Sequence, residues 1–486
     1  MKKISLLIII FLSTLRMAAQ EPWTLERCID YAVSHNITIE QYRLRTESQA
    51  LQLETSKYSR LPDLSASAGE NFSFGRGLTA DNTYTNTNTS STNFSVGTSV
   101  PLFTGFQIPN QIALNRLNLE AATADLEKAK NDIRTQVAQE YVQALYNMEI
   151  LEVARRQVAI DSAQVARLQA LLDAGRSSRA ELSQQQATLA QSRLTVTQAE
   201  NNLRLALLAL SQLLELPTPE GFTIERPSSA VLHSHVGEGS GAVLLPAAEK
   251  ATDTTPAPPL EGRGAAAAGT LTNITNEAPS GAVGGASPDA IYALALTTRP
   301  EIQADLLRMK AADRSIAIAR AGYMPTLSFS AGLGTNYYTT SGYKADGFGT
   351  QLKNNFSQYL GFNLSIPIFN RFQTRNSIRA AKLDRVNQQL TLDQTKKTLY
   401  KEIQTACFNT VAASEKLRAS DDARRASQDA FTLVQAKYEQ GRATITEFNE
   451  AKNAYLKTES DLTQARYEYL YQTALLKFYS GETLHF

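Results

Sequence analysis

Nucleophilic, redox or metal chemistry in this chain of 486 residues would have to come from two cysteines, Cys28 and Cys407, and four histidines, His35, His233, His235 and His485. Thiolate catalysis and zinc binding need such groups at set spacings, and the two cysteines sit in neither a CxxC nor a CxxxH arrangement. His233 and His235 stand close together, but no cysteine or clustered carboxylate accompanies them, so no metal site is assigned. GxSxG, HExxH, Walker A and GxGxxG are all missing from the sequence. No catalytic residue and no cofactor is therefore expected. The acids that stand out are Glu447 and Glu450, which share one face of a helix. Glu181 lies as far beyond Gly175 as Glu447 lies beyond Gly441. Paired acids on a long helix are ordinarily solvated, and alone they do not signal an enzyme.

The elements that carry these residues follow from composition and pattern. Lys and Arg number 48 against 47 Asp and Glu, a net charge of +1, which lacks the basic excess of a nucleic-acid binder. No apolar run reaches the roughly 18–20 residues of a membrane-spanning helix, which excludes a polytopic inner-membrane protein. Met1-Lys2-Lys3, the apolar stretch Ile4 to Leu12 and the small-residue zone ending Ala18-Ala19 form the pattern of a secretory signal peptide, residues 1–19. The mature chain is expected to be periplasmic, outer-membrane or secreted.

One plan occurs twice. Leu61-Pro62-Asp63-Leu64-Ser65 returns as Met324-Pro325-Thr326-Leu327-Ser328, Ser99-Val100-Pro101-Leu102-Phe103 as Ser365-Ile366-Pro367-Ile368-Phe369, and Ala174-Gly175-Arg176 as Gln440-Gly441-Arg442. The domains expected are a first repeat at 20–216, a Gly-, Ala- and Pro-rich flexible insertion at 217–287, and a second repeat at 288–486. Each repeat is predicted to run helix, strand, strand, long helix, glycine-centred turn, helix.

Period-two alternation marks the strands. Phe94, Val96 and Val100 alternate with Ser95, Gly97 and Ser99, and Leu327, Phe329, Ala331 and Leu333 with Ser328, Ser330, Gly332 and Gly334. A fourth strand is predicted from Leu360 to Ile368, and a weaker first one carries Leu64, Ala66, Ala68, Phe72 and Phe74. The polar tracts Thr83 to Asn93 and Thr339 to Gly349 are expected as exposed loops. Long helices are predicted over Gln107 to Leu172 and Phe372 to Tyr438, on the order of 100 Å each at 1.5 Å per residue. Shorter ones are predicted over Leu25 to Arg60, Ser177 to Glu215, Ala290 to Arg320 and Thr444 to Phe478. Gly175 and Gly441 suit the left-handed conformation that reverses a helix.

Four strands with one apolar face cannot close a membrane barrel, which needs about eight or more. Their open edges would strand backbone polar groups in lipid. Several chains must therefore pool their strands in an outer-membrane barrel. The competing reading is a small soluble sheet flanking a periplasmic coiled coil with no pore.

These repeats, the Val100-Pro101-Leu102-Phe103 and Ile366-Pro367-Ile368-Phe369 elements, the segment Tyr438-Glu439-Gln440-Gly441-Arg442-Ala443-Thr444-Ile445-Thr446-Glu447 and the opening Trp23-Thr24-Leu25-Glu26 resemble the TolC-type outer-membrane efflux proteins. The resemblance implies a mainly α fold with a small β part. Two tandem repeats would form, as a homotrimer, a 12-stranded β-barrel in outer-membrane lipid, continued by a 12-helix barrel through the periplasm. It implies a passive exit duct that takes small molecules from an inner-membrane pump, with a periplasmic adaptor docking at the tips Gly175, Arg176, Gly441 and Arg442. It further implies a periplasmic gate at Tyr438, Glu447 and Glu450, with Glu181 matching them on the first hairpin. Three chains would then place six carboxylates of Glu447 and Glu450 around one throat, a ring that repels anions. Where the family has a locking arginine this chain has Ala443, and Arg442 or Arg179 is the expected substitute. Type I protein secretion and metal export use ducts of the same kind and stay open as alternatives.

Overall fold

The computed structural model describes residues 22–78, 82–217, 221–226 and 287–484. The expected signal peptide, most of the expected insertion with His233 and His235, and His485 lie outside the described residues. In chain order the elements are α1 (Leu25–His35), α2 (Ile37–Tyr58), β1 (Asp63–Leu78), β2 (Tyr84–Thr104), α3 (Gln107–Asp173), α4 (Arg179–Leu213), α5 (Pro288–Thr298), α6 (Pro300–Ala321), β3 (Thr326–Thr340), α7 (Phe348–Asn354), β4 (Ser357–Ser365), α8 (Gln373–Glu439) and α9 (Ile445–Tyr479). Contacts divide the chain into two compact units, and the long helices α3 and α8 contribute to both.

One unit holds the sheet with Thr38–Ala129 and Arg299–Lys396. Its four strands run antiparallel in the order β1-β2-β3-β4, so β1 and β4 are edges. The register builds two unlike faces. Leu64, Thr98, Ala331 and Leu360 share one row of the apolar face, and Val100, Phe329 and Phe362 share another. The opposite face carries Asp63, Ser99, Ser330 and Gly361 in one row and Ser67, Ser95, Gly334 and Ser357 in another. A step at Pro101/Phe103 shifts the β2–β3 pairing by one residue, as expected of a bulge where proline offers no N–H. Where this unit is helical, Arg308 of α6 is paired with Asp125 of α3 and lies 2.9 Å from Asp305. Thr395 of α8 donates to the other Asp305 oxygen at 2.6 Å, so three helices share one satisfied polar knot.

Several expectations need correction here. Thr83 to Asn93, expected as a loop, is almost entirely strand, because β2 pairs with β1 as far as Tyr84 opposite Leu78. Its Thr and Ser residues suit a pleated surface, and the Glu70 carboxylate accepts from both Ser90 and Thr92 on the facing strand. The fourth strand stops at Ser365, before Ile368, since Pro367 cannot donate to a ladder. Beyond Thr340, part of the expected loop is α7, whose side chains replace the missing end of β4. Gln351 donates to the Tyr338 carbonyl at 3.0 Å and accepts from its amide at 2.9 Å, and Asn355 donates to the Asn336 carbonyl.

The other unit comprises the residues up to Ile37, Lys130–Thr298 and Lys397 onward. Here α3 and α4 form one antiparallel hairpin, and α8 and α9 the other. Both predicted single helices at the start of the repeats are broken. Asn36 separates α1 from α2, its side-chain amide donating to the Leu213 carbonyl at the end of α4. Arg299 separates α5 from α6 because it precedes Pro300, and the residue before proline avoids the helical region.

Candidate functional site

Each hairpin ends in the same short device. The Arg176 amide donates to the Leu171 carbonyl at 2.7 Å and the Gly175 amide to Leu172 at 2.9 Å, with Gly175 at φ +67°. The Arg442 amide likewise donates to Lys437 at 2.8 Å and the Gly441 amide to Tyr438 at 3.0 Å, with Gly441 at φ +73°. This is the Schellman pattern, in which a left-handed residue lets the chain satisfy the last carbonyls of a helix and leave it. Open space surrounds both glycines, so backbone conformation alone demands them.

The returning helices are capped alike. Ser178 and Thr444 are the N-caps of α4 and α9, and Glu181 and Glu447 close capping boxes back onto them. The Glu447 carboxylate accepts the Thr444 amide at 2.7 Å, and the Glu181 carboxylate accepts the Ser177 hydroxyl at 2.6 Å and the Ser178 amide at 3.2 Å. These bonds hold both carboxyls below the ordinary glutamate value, Glu447 chiefly through the Thr444 amide and Glu181 chiefly through the Ser177 hydroxyl. Both acids thus have a local role, which the Ser/Thr-x-x-Glu spacing signals and their distance from glycine does not. Glu450 is exposed.

Tyr438 is built into the tip. Its ring stacks on Phe448 with centroids 5.0 Å apart, and the Arg167 guanidinium lies 5.0 Å over its centroid. Leu168, Leu182, Ile445 and Phe448 form the buried core beneath. Burial raises the Tyr438 hydroxyl above its ordinary value, opposed by Arg167 and reinforced by Glu181, so Glu181 and Tyr438 share one electrostatic neighbourhood. Arg176, Arg179 and Arg442 are exposed, and Ala443 is half-buried.

Further along these helices lies a feature the sequence reading missed. The Asp161 and Lys452 side chains form an ion pair with no exposed surface. Asp161 also accepts from Gln185 at 3.3 Å and from Ser192 at 2.5 Å, while Lys452 donates to Asn449 at 3.3 Å. Asn449 in turn donates to Gln185 at 3.0 Å, which joins α3, α4 and α9 in one closed network. Its members are 291 residues apart at the ion pair, and no local motif marks them.

In the sheet unit, the edges β1 and β4 lack a partner among the described strands, and the apolar face is largely uncovered. Leu44, Leu51 and Tyr58 recur every seven residues as an exposed stripe on α2, and Leu383, Val386 and Leu390 form another on α8. No helix among the described residues is long and apolar enough to cross a membrane.

Against known proteins, the model of the outer membrane efflux protein family matches residues 28–215 and 291–482, well over half of the chain. The chain belongs to the outer membrane efflux protein family. Outer membrane protein TolC of Escherichia coli is 25% identical over 162 residues, which span 33% of either chain. The first curated relatives are thus matched over about a third of their length. Outer membrane efflux protein BepC of Brucella suis is 21% identical over 446 residues, 92% of this chain and 82% of the relative. The crystal structure of VceC from Vibrio cholerae superposes with a TM-score of 0.69 at 16% identity, covering 95% of this chain and 97% of that one. Membership of this family places the chain in the outer membrane, and the fold fits a helical part in the periplasm.

Proposed function

We propose that this efflux-family chain is the exit duct of a tripartite efflux system, a homotrimer that passively conducts small molecules from an inner-membrane pump to the exterior. The observation that carries this reading is the open four-stranded sheet, apolar on one face, with β1 and β4 unpaired among the described strands. Such a sheet is unsatisfied in lipid until its edges meet other strands. The two edges left over are unlike, since one is β1 and the other β4. Unlike edges that meet head to tail close into a ring when the rotation between neighbours completes a circle.

In this reading the hairpin tips at Gly175, Arg176, Gly441 and Arg442 receive a periplasmic adaptor. Glu447, Glu450, Tyr438 and Glu181 lie at the periplasmic constriction. Glu450 supports the gate most directly, being an exposed acid on the same face as Glu447. Glu447 and Glu181 would do two jobs, capping their helices and contributing negative potential to the throat.

The experiment is single-channel recording in planar bilayers on the detergent-purified protein, with its mass measured in detergent. A trimer with cation-preferring channels is expected, and Glu447→Ala with Glu450→Ala should raise conductance and lower cation preference. A monomeric, non-conducting particle would overturn the duct. Channels indifferent to the double substitution would remove these acids from the constriction.

A further inference from the structure

The polar face of the sheet has one row unlike its neighbours. Ser65, Gly97, Gly332 and Tyr359 are paired laterally across all four strands, so two side chains are missing beside an aromatic one. Tyr359 fills the space they leave. A Cβ on Gly332 would stand 2.6 Å from its Cε1, 2.7 Å from Cζ and 2.8 Å from the hydroxyl, and one on Gly97 would stand 3.7 Å from that hydroxyl. The ring therefore lies flat across β3 toward β2, whereas strand side chains normally stand roughly perpendicular to the sheet. A glycine within a strand weakens it and commonly marks a close approach. Here two such glycines oppose each other directly beneath one ring. The adjoining rows hold only Asp63, serines and glycines, so no other aromatic side chain stands at this level of the face.

We propose that Gly97 and Gly332 form a recess that stows Tyr359 against the inner wall, and that residue 332 thereby sets the bore of the β part. This rests on the duct reading, in which the polar face lines the lumen. A bulkier residue at 332 occupies the recess and lifts the ring off the wall. In a closed trimer three rings would then narrow the lumen at one level, cutting off large solutes first.

The test reads the passage of solutes past this row from outside intact cells. Ser328→Cys places a thiol on the polar face on the helix side of Tyr359, in a Cys407→Ser background. Cys28 is buried, which pushes its thiol up to about 12 and leaves it inert. Labelling rates are compared for a small maleimide and one carrying a polyethylene glycol chain. Gly332→Val should slow the bulky reagent about tenfold and the small one less than about twofold, as expected of a narrowed pore. Adding Tyr359→Ser should restore both rates, and Tyr359→Ser alone should leave them unchanged.

Equal slowing of both reagents, or a double variant as slow as Gly332→Val, overturns the proposal. A reporter thiol that even the small reagent cannot reach from outside overturns the duct reading instead. Should Gly332→Val not reach the outer membrane, Gly332→Ala with and without Tyr359→Ser gives the same comparison with a smaller expected effect.

Discussion

Replacing Lys452 tests the physical argument about the helical unit most sharply. The Lys452 and Asp161 side chains have no exposed surface, and Asp161 accepts from Lys452, Gln185 and Ser192 together. Lys452→Met keeps most of the volume but leaves the carboxylate buried with two neutral donors. Asp161→Asn keeps the shape and strands the ammonium instead. Removing one member of a buried pair costs about 3–5 kcal/mol, because the surviving charge is neither hydrated nor neutralised. With both replaced no charge remains, so the double variant should cost no more than either single one. The coupling is then at least about 3 kcal/mol, the upper end for side chains in contact. Urea unfolding of the detergent-solubilised protein, followed by circular dichroism, measures all four corners of this cycle. Arg155→Ala supplies the control, since its ion pair with Glu200 is largely exposed and should contribute less than about 1 kcal/mol. A Lys452→Met loss as small as the control's, or additive losses in the double variant, would refute the reasoning, because water would then be reaching the pair.

Other outcomes follow from the tips and the strand-to-helix junctions. Glu447 and Glu181 are held below their ordinary value of 4.5, so their capping contribution is complete above that pH and is lost as the pH falls through the lower folded-state value. Amide exchange at 178–182 and 444–448, compared with Glu447→Gln and Glu181→Gln, should show a protection that the wild type loses on acidification and the variants lack throughout. Gly175→Ala and Gly441→Ala should each cost about 1–2 kcal/mol in thermal unfolding, the penalty of the left-handed conformation alone, because nothing crowds either site. Gly105→Ala should cost more than either, since its Cβ would also stand 2.5 Å from the Met324 Cβ and 3.0 Å from the Ala321 carbonyl. At the corresponding junction of the second repeat Arg371 already sits at φ +55°, and Arg371→Gly should gain about 0.5–1 kcal/mol.

How far each feature could be read depended on the range of the interaction behind it. The hairpin turns were legible because a left-handed residue selects glycine locally. The capping boxes are equally legible in Ser178-Arg179-Ala180-Glu181 and Thr444-Ile445-Thr446-Glu447, because the Ser/Thr-x-x-Glu spacing acts within a single turn. The break at Arg299 is foretold by Pro300, whereas the one at Asn36 depends on a carbonyl at Leu213 and leaves no local trace. Thr83 to Asn93 misled because its composition is that of a loop while its pairing partner, β1, supplies the ladder that makes it a strand.

The sequence by itself determined the duplicated plan, the two-faced strands and the long helices, since hydrophobic period and turn chemistry act over a few residues. It also determined that one chain brings too few strands to close in lipid. Only the tertiary structure decided that Asp161 meets Lys452, that Arg167 covers Tyr438, and that Tyr359 lies in the hollow left by Gly97 and Gly332. Those juxtapositions join residues far apart in the chain, and side-chain packing between elements, which no local pattern encodes, selects them.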